Sequence, residues 1–306
     1  MNLIKDFTST ILELEDDYEG KVTATLVSSN FNVGNRKSVL YIHGYIDYFF
    51  HPHLAEQFID HGFDFYALDL RKYGRSLLNH QHPNYCRNLD EYFEEISIAI
   101  RKIKESNTSI YLLGHSTGGL ITSNYMNDGE EKDQIAGLIL NSPFFDFNQS
   151  KLRTFISLCV AKIISALSPY SKIEGALSPT YPKSIHKDYH GDWDFNLKWK
   201  PINGFPTYFK WVSAIGKAQK KLAHSNITAP ILLMHSSGSK KLIAFSEEAT
   251  LNDLVLDIED MKRVGKNLGN EVSFVQINHA MHDIFLSSKK VRDAAFKKMF
   301  EWLDDH

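Results

Sequence analysis

Apolar residues fall in short runs along this chain, and the stretches between the runs carry apolar positions at helical spacing. Val22 to Ser29 alternates in the manner of an opening strand. Ser38 to Gly44 is a second run, ending at His43-Gly44, and Phe63 to Leu70, Ser109 to Leu113, Ile135 to Asn141, Ile231 to His235 and Glu271 to Ile277 are further strand-like runs. Between them, Pro52 to Gly62 predicts a helix: Pro lies near its start, Gly just past its end, and Leu54, Phe58 and Ile59 form the apolar stripe. Leu89 to Ser106 predicts a long amphipathic helix capped by Asn88, and Val291 to Leu303 predicts a closing one. Such alternation predicts an α/β fold, a mostly parallel, doubly wound sheet with helices on both faces and right-handed crossovers. Functional residues then gather at the carboxyl ends of the strands, where His43, Ser116 and the segments after His235 and Ile277 fall.

The alternation breaks between residues 148 and 225. That stretch holds Pro169, Pro179, Pro182, Pro201 and Pro206, the aromatic cluster Tyr189, Trp193, Phe195 and Trp199, and two helix-like pieces. It predicts an inserted, mainly helical cap over the active edge, with residues 1–147 and 226–306 forming the core. Twelve basic against four acidic side chains between Lys151 and Lys221 leave the cap positive by eight charges. Phe155, Ile156, Cys159, Val160, Ile163, Ile164 and Leu167 form a broad apolar stripe there. A basic amphipathic piece suits an acyl-chain site or a weak membrane-surface contact, while a cap helix packing its apolar side on the core is the plainer reading.

Composition bounds the remaining choices. With 306 residues, 43% of them hydrophobic and 23% charged, the chain has the make-up of a folded protein with a large core. A net charge of −3 argues against a dedicated nucleic-acid binder. Cys86 and Cys159 form neither a disulfide framework nor a metal-ligand spacing, the N-terminus lacks a signal-peptide layout, and no run reaches a membrane span. These features predict a cytoplasmic protein without a metal.

The candidate chemistry centres on Gly114-His115-Ser116-Thr117-Gly118, which follows an apolar strand and precedes Leu120, Ile121, Tyr125 and Met126 at helical spacing. In a Gly-x-Ser-x-Gly turn the backbone doubles back too tightly for side chains at Gly114 and Gly118, and the serine hydroxyl is lifted to the sheet edge. The N–H of Thr117 then lies at a helix N-terminus, where it can hold an oxyanion, and Gly44 lets the N–H of Tyr45 approach from the opposite side. His43 reads as a structural hydrogen-bonder under that loop. A serine needs a base, and the base needs an orienting acid. His279 and His282 are the candidate bases, His282 being preferred because it lies in the loop proper. For the acid, Ser236 to Lys241 offers no carboxylate; Asp253 and Asp257 are the candidates, and Asp257 is also placed to cap a helix.

Together these residues resemble the α/β-hydrolase family, in particular its monoacylglycerol lipase and lysophospholipase-like, serine aminopeptidase-like branch. The resemblance runs through His43-Gly44-Tyr45, Asp69-Leu70-Arg71-Lys72-Tyr73-Gly74-Arg75-Ser76, Gly114 to Gly119 and His282. Departures stand at Lys72, where the family usually has Gly, at Ile46-Asp47-Tyr48, where it has a Gly-rich oxyanion loop, and at Ser239, where it has Asp. An insertion over residues 237–252 would restore the family pattern at Asp253. The resemblance implies a serine hydrolase of small-molecule acyl esters, with Ser116, His282 and Asp253 as its triad and no cofactor. Two rivals stand beside it: an aminopeptidase-type serine hydrolase and a non-catalytic binding protein on the same scaffold.

Overall fold

The computed structural model describes residues 5–175 and 177–306; residues 1–4, part of the stretch read for a leader, lie outside the described residues. The first strand is one the hydrophobic pattern does not announce. β1 (Phe7–Glu13) has most of its side chains exposed and pairs antiparallel with β2 (Thr23–Ser29), itself antiparallel to the strand Asp64–Asp69. An edge strand with one neighbour need not show a buried face, so its periodicity is weak. The parallel part begins with β3 (Lys37–Ile42), α1 (Pro52–Asp60) and β4 (Asp64–Asp69). It continues through α2 (Phe93–Lys104), β5 (Ser109–His115), α3 (Thr117–Asp128) and β6 (Ile135–Asn141). The predicted helix from Leu89 starts as a 3-10 turn, Leu89–Tyr92, under an Asn88/Glu91 capping box.

The inserted segment carries α4 (Lys151–Leu167), β7 (Lys172–Ile173), α5 (Thr180–Ile185), β8 (Thr207–Tyr208) and α6 (Phe209–Lys221), so three helices stand where two were expected. The chain returns as β9 (Ile231–Ser236), α7 (Ile258–Gly265), β10 (Val272–Ile277) and α8 (Lys289–Asp305). The eight-stranded sheet runs β1-β2-β4-β3-β5-β6-β9-β10, parallel from β4 to β10. One face carries a cluster that includes Leu112, Leu120, Ile215 and Met261; the other packs Leu54, Phe58, Phe296 and Phe300 from α1 and α8.

Two local departures from expectation have physical reasons. Lys72 sits at φ 65°, the region that favours the glycine usual there, and is fully buried, with Nζ 2.6 Å from Asp17 and 2.7 Å from Glu19. The α4 stripe faces away from the core: Phe155, Ile156, Ile163 and Leu167 are all more than half exposed, while Leu158 packs against Gly216 of α6. Neither a stripe packed on the core nor an acyl-chain site built from it describes α4, because the small residues Ala161 and Ser165 make its buried side.

Candidate active site

Ser116 sits between β5 and α3 at φ 53°, ψ −117°, a conformation costly for a side-chain-bearing residue. Its neighbours show how the turn is held. A Cβ on Gly118 would lie 2.3 Å from the carbonyl oxygen of Ile42, and one on Gly114 would lie 2.4 Å from Thr122 Oγ1. The Ser116 carbonyl accepts from Gly119, Leu120 and Phe144, and its N–H donates to Asn141 at 3.0 Å. These bonds brace the strained backbone. Only 8% of Ser116 is exposed, and that exposure opens into a pocket of about 520 Å³.

His282, not His279, faces Ser116. Its Nε2 lies 3.0 Å from Ser116 Oγ and its Nδ1 2.8 Å from Asp253 Oδ2. An ionised carboxylate only accepts, so Nδ1 carries the proton and Nε2 is left to accept from the serine hydroxyl. His279 is exposed at φ 59°, tied to Ser237 Oγ through its backbone N–H.

Asp253 is fully buried, and its second oxygen accepts from the N–H groups of Val255 and Leu256, each at 2.8 Å. It reaches this place because residues 237–252 loop out and return beside Ser239. Asp253 N–H donates to the Gly238 carbonyl, and its own carbonyl accepts from Lys240, a short parallel bridge opposite Ser239. Ser239 Oγ meanwhile accepts from Ile258 N–H. Asp257 caps α7 through Glu259 N–H at 3.0 Å and takes no part in the Ser116 chain.

Thr117 is the first residue of α3, Gly44 lies against Ser116, and Tyr45 and Thr117 line the same pocket. His43 is buried under this loop; Nδ1 donates to the Gly44 carbonyl at 2.8 Å and Nε2 accepts from Leu70 N–H at 3.1 Å. Burial holds its pKa below the ordinary imidazole range, and both nitrogens are engaged as a neutral ring requires.

Several pocket residues escape the sequence patterns. Lys200 reaches in from the inserted segment with Nζ 2.6 Å from Asp47 Oδ1, both side chains under a tenth exposed. Tyr181 lays its ring edge to His282, centroids 5.5 Å apart, and accepts from Asp283 N–H. Trp211 stacks on Tyr45 at 3.9 Å. Phe144, Phe147, Leu254 and Leu256 make an apolar wall. Buried beside His282, His115 is pushed down to about 4 by desolvation, against the opposing pull of Asp283. The unusual Asp47 was visible as a departure; that Lys200 meets it was not. Among the described residues, no group of three or more His, Cys, Asp or Glu is placed to hold a metal ion.

A family model described as serine aminopeptidase, S33, matches residues 34–288. The chain belongs to the α/β-hydrolase family. Within that family it is similar to monoacylglycerol lipases. This α/β-hydrolase is 24% identical over 294 residues to the monoglyceride lipase of Saccharomyces cerevisiae, covering 89% of this chain and 85% of the yeast protein. It is 30% identical over 94 residues to phospholipase YtpA of Bacillus subtilis, a match that spans 31% of this chain and 35% of YtpA. A crystal structure of a soluble variant of the yeast lipase, in complex with a substrate analog, superposes with a TM-score of 0.67 at 20% identity, covering 98% of this chain and 97% of that one. A thermophilic esterase from Thermogutta terrifontis gives 0.60 at 16% identity, covering 97% and 98%.

Proposed function

We propose that this α/β-hydrolase is a serine hydrolase of carboxylic esters working through an acyl-enzyme on Ser116. The observation that carries the reading is the unbroken Ser116–His282–Asp253 hydrogen-bonded chain, whose Ser116 and His282 line a pocket with an apolar wall. Ser116 Oγ attacks the ester carbonyl while His282 Nε2 takes its proton, and Asp253 steadies the imidazolium. The amides of Tyr45 and Thr117 hold the tetrahedral oxyanion. His282 then protonates the leaving alcohol, and water, activated by the same imidazole, releases the acid. Gly44, Gly114, Gly118 and His43 support this geometry, Gly44 from the pocket lining. Residues 148–225 act as a cap on a core of residues 1–147 and 226–306.

The substrates proposed are aliphatic or aromatic esters of short to medium acyl chain, and lipid monoesters of the kind that the yeast relative's name indicates. An aminopeptidase would need a free carboxylate for the substrate ammonium, and among the described lining residues the single carboxylate at hand, Asp47, is already paired with Lys200. A rate profile over p-nitrophenyl esters, monoacylglycerols, lysophospholipids and amino-acid amides tests this: esters should turn over far faster than amides, and the reverse order would sink the ester reading. The outward stripe of α4 beside Lys151, Arg153 and Lys162 further supports a weak contact with an anionic lipid surface. No helix of the described residues is long and apolar enough to cross a membrane. Cys86 and Cys159 are both free, as a cytoplasmic location would leave them.

A further inference from the structure

Four consecutive residues, 45–48, lead away from Gly44 toward Phe49, whose N–H is fixed by Asp69 Oδ1 at 3.0 Å. In the middle of them Ile46 stands at φ 52°. A β-branched side chain in that left-handed region is strained, and such strain persists only where the surroundings over-determine the backbone. Here each of the four is gripped by the inserted segment. Tyr45 stacks on Trp211, with its hydroxyl 3.5 Å from Thr207 Oγ1. Ile46 lies over Gly204, where a Cβ would come within 3.2 Å of Ile46 Cδ1. Asp47 is bound by Lys200 at 2.6 Å, and Tyr48 accepts from Asn196 N–H at 2.7 Å while its ring meets the edge of Trp199.

From this we infer that cap residues 196–211 are positioning residues for the oxyanion loop: they clamp residues 45–48 in a conformation that Ile46 would otherwise leave, and so hold the Tyr45 amide toward Ser116. Lys200 is the central grip, since its buried ion pair is the clamp's one charged contact. The inference rests on the ester-hydrolase reading for its kinetic consequence, but not for its structural one. A cap shifted away from the core would release the loop and disassemble half the oxyanion site, so that closure of the cap and assembly of the site are one event.

The test is a cycle with Ile46→Gly, because glycine adopts a positive φ without strain. Lys200→Met should lower kcat on a soluble short-chain p-nitrophenyl ester by about tenfold or more, with KM changed much less. Adding Ile46→Gly should recover most of that loss. If Lys200 serves only stability, kcat per folded molecule stays unchanged; if it serves only to bind substrate, KM rises and glycine rescues nothing. Either result overturns the inference. Should Lys200→Met fold poorly, Trp211→Leu removes the Tyr45 stack and should show the same loss and rescue. Amide hydrogen exchange at residues 45–48 reads the clamp without turnover. It should rise in Lys200→Met, and no change there would overturn the clamp, whereas a wild-type protein that turns over no ester would overturn the ester reading alone.

Discussion

Asp253 and Asp257 lie four positions apart and do different work, which makes them the sharpest comparison among single residues. On the proposed mechanism, Asp253→Asn removes the charge that would steady the His282 imidazolium and disturbs its tautomer; kcat should fall by about 10⁴-fold, measured on whichever ester turns over fastest. Asp257→Asn should leave kcat near the wild-type value, since asparagine still caps α7. The opposite pattern would move the acid to Asp257. Ser116 and His282 could be named from sequence because each sits in a local pattern, a glycine-flanked turn and a histidine past the last strand, and the acid could be narrowed to Asp253 or Asp257, with Asp253 favoured by the family resemblance. Lys200 with Asp47, and Tyr181 with His282, could not. Their partners lie far apart in the chain and meet only through the folding of the cap, and no periodicity encodes that meeting.

At the scale of elements, interior strands buried on both faces read clearly as apolar runs, and β3 to β6 and β9 fall within a residue or two of the predicted runs; so does β10, an edge strand with only Ile277 buried. β1 was illegible because its exposed side chains answer to no core. For α4 the spacing gave the helix but not its orientation, since an apolar stripe does not say whether protein or something outside will cover it. The lipid-surface reading of α4 makes a direct prediction. The protein should co-sediment with vesicles containing anionic phospholipid, less so at high salt, and Phe155→Ser with Ile163→Ser should abolish this without altering turnover of a soluble ester. Equal retention by both variants, or self-association through α4 seen as a concentration-dependent dimer, would contradict it.

Across the whole molecule, buried neutral histidines tie stability to pH. Desolvation lowers His115 to about 4 and His53 to about 3, and it lowers His43 and His51 as well. Below the unfolded value near 6.5 the unfolded chain takes up protons that the folded one refuses, so stability present at neutral pH is lost as pH falls, for His115 down to about 4. His115 and His53 each contribute a slope of about 1.4 kcal/mol per pH unit between the unfolded value and their own lowered ones. The melting temperature should therefore drop steadily from pH 7 to pH 5; a flat profile would mean that these rings accept protons in the folded state. The fold class and the site's place on it were legible because alternation fixes a parallel sheet and a parallel sheet fixes its functional edge. How the cap grips that edge was not.

On the proposed mechanism the hydroxyl of Ser116 is made reactive by His282. Exposure to a fluorophosphonate probe, followed by mass-spectrometric mapping of the adduct, tests it most directly. One covalent label is expected, on Ser116, absent in Ser116→Ala and formed far more slowly in His282→Ala. A folded wild-type protein that takes no label, or takes it at another residue, would contradict it.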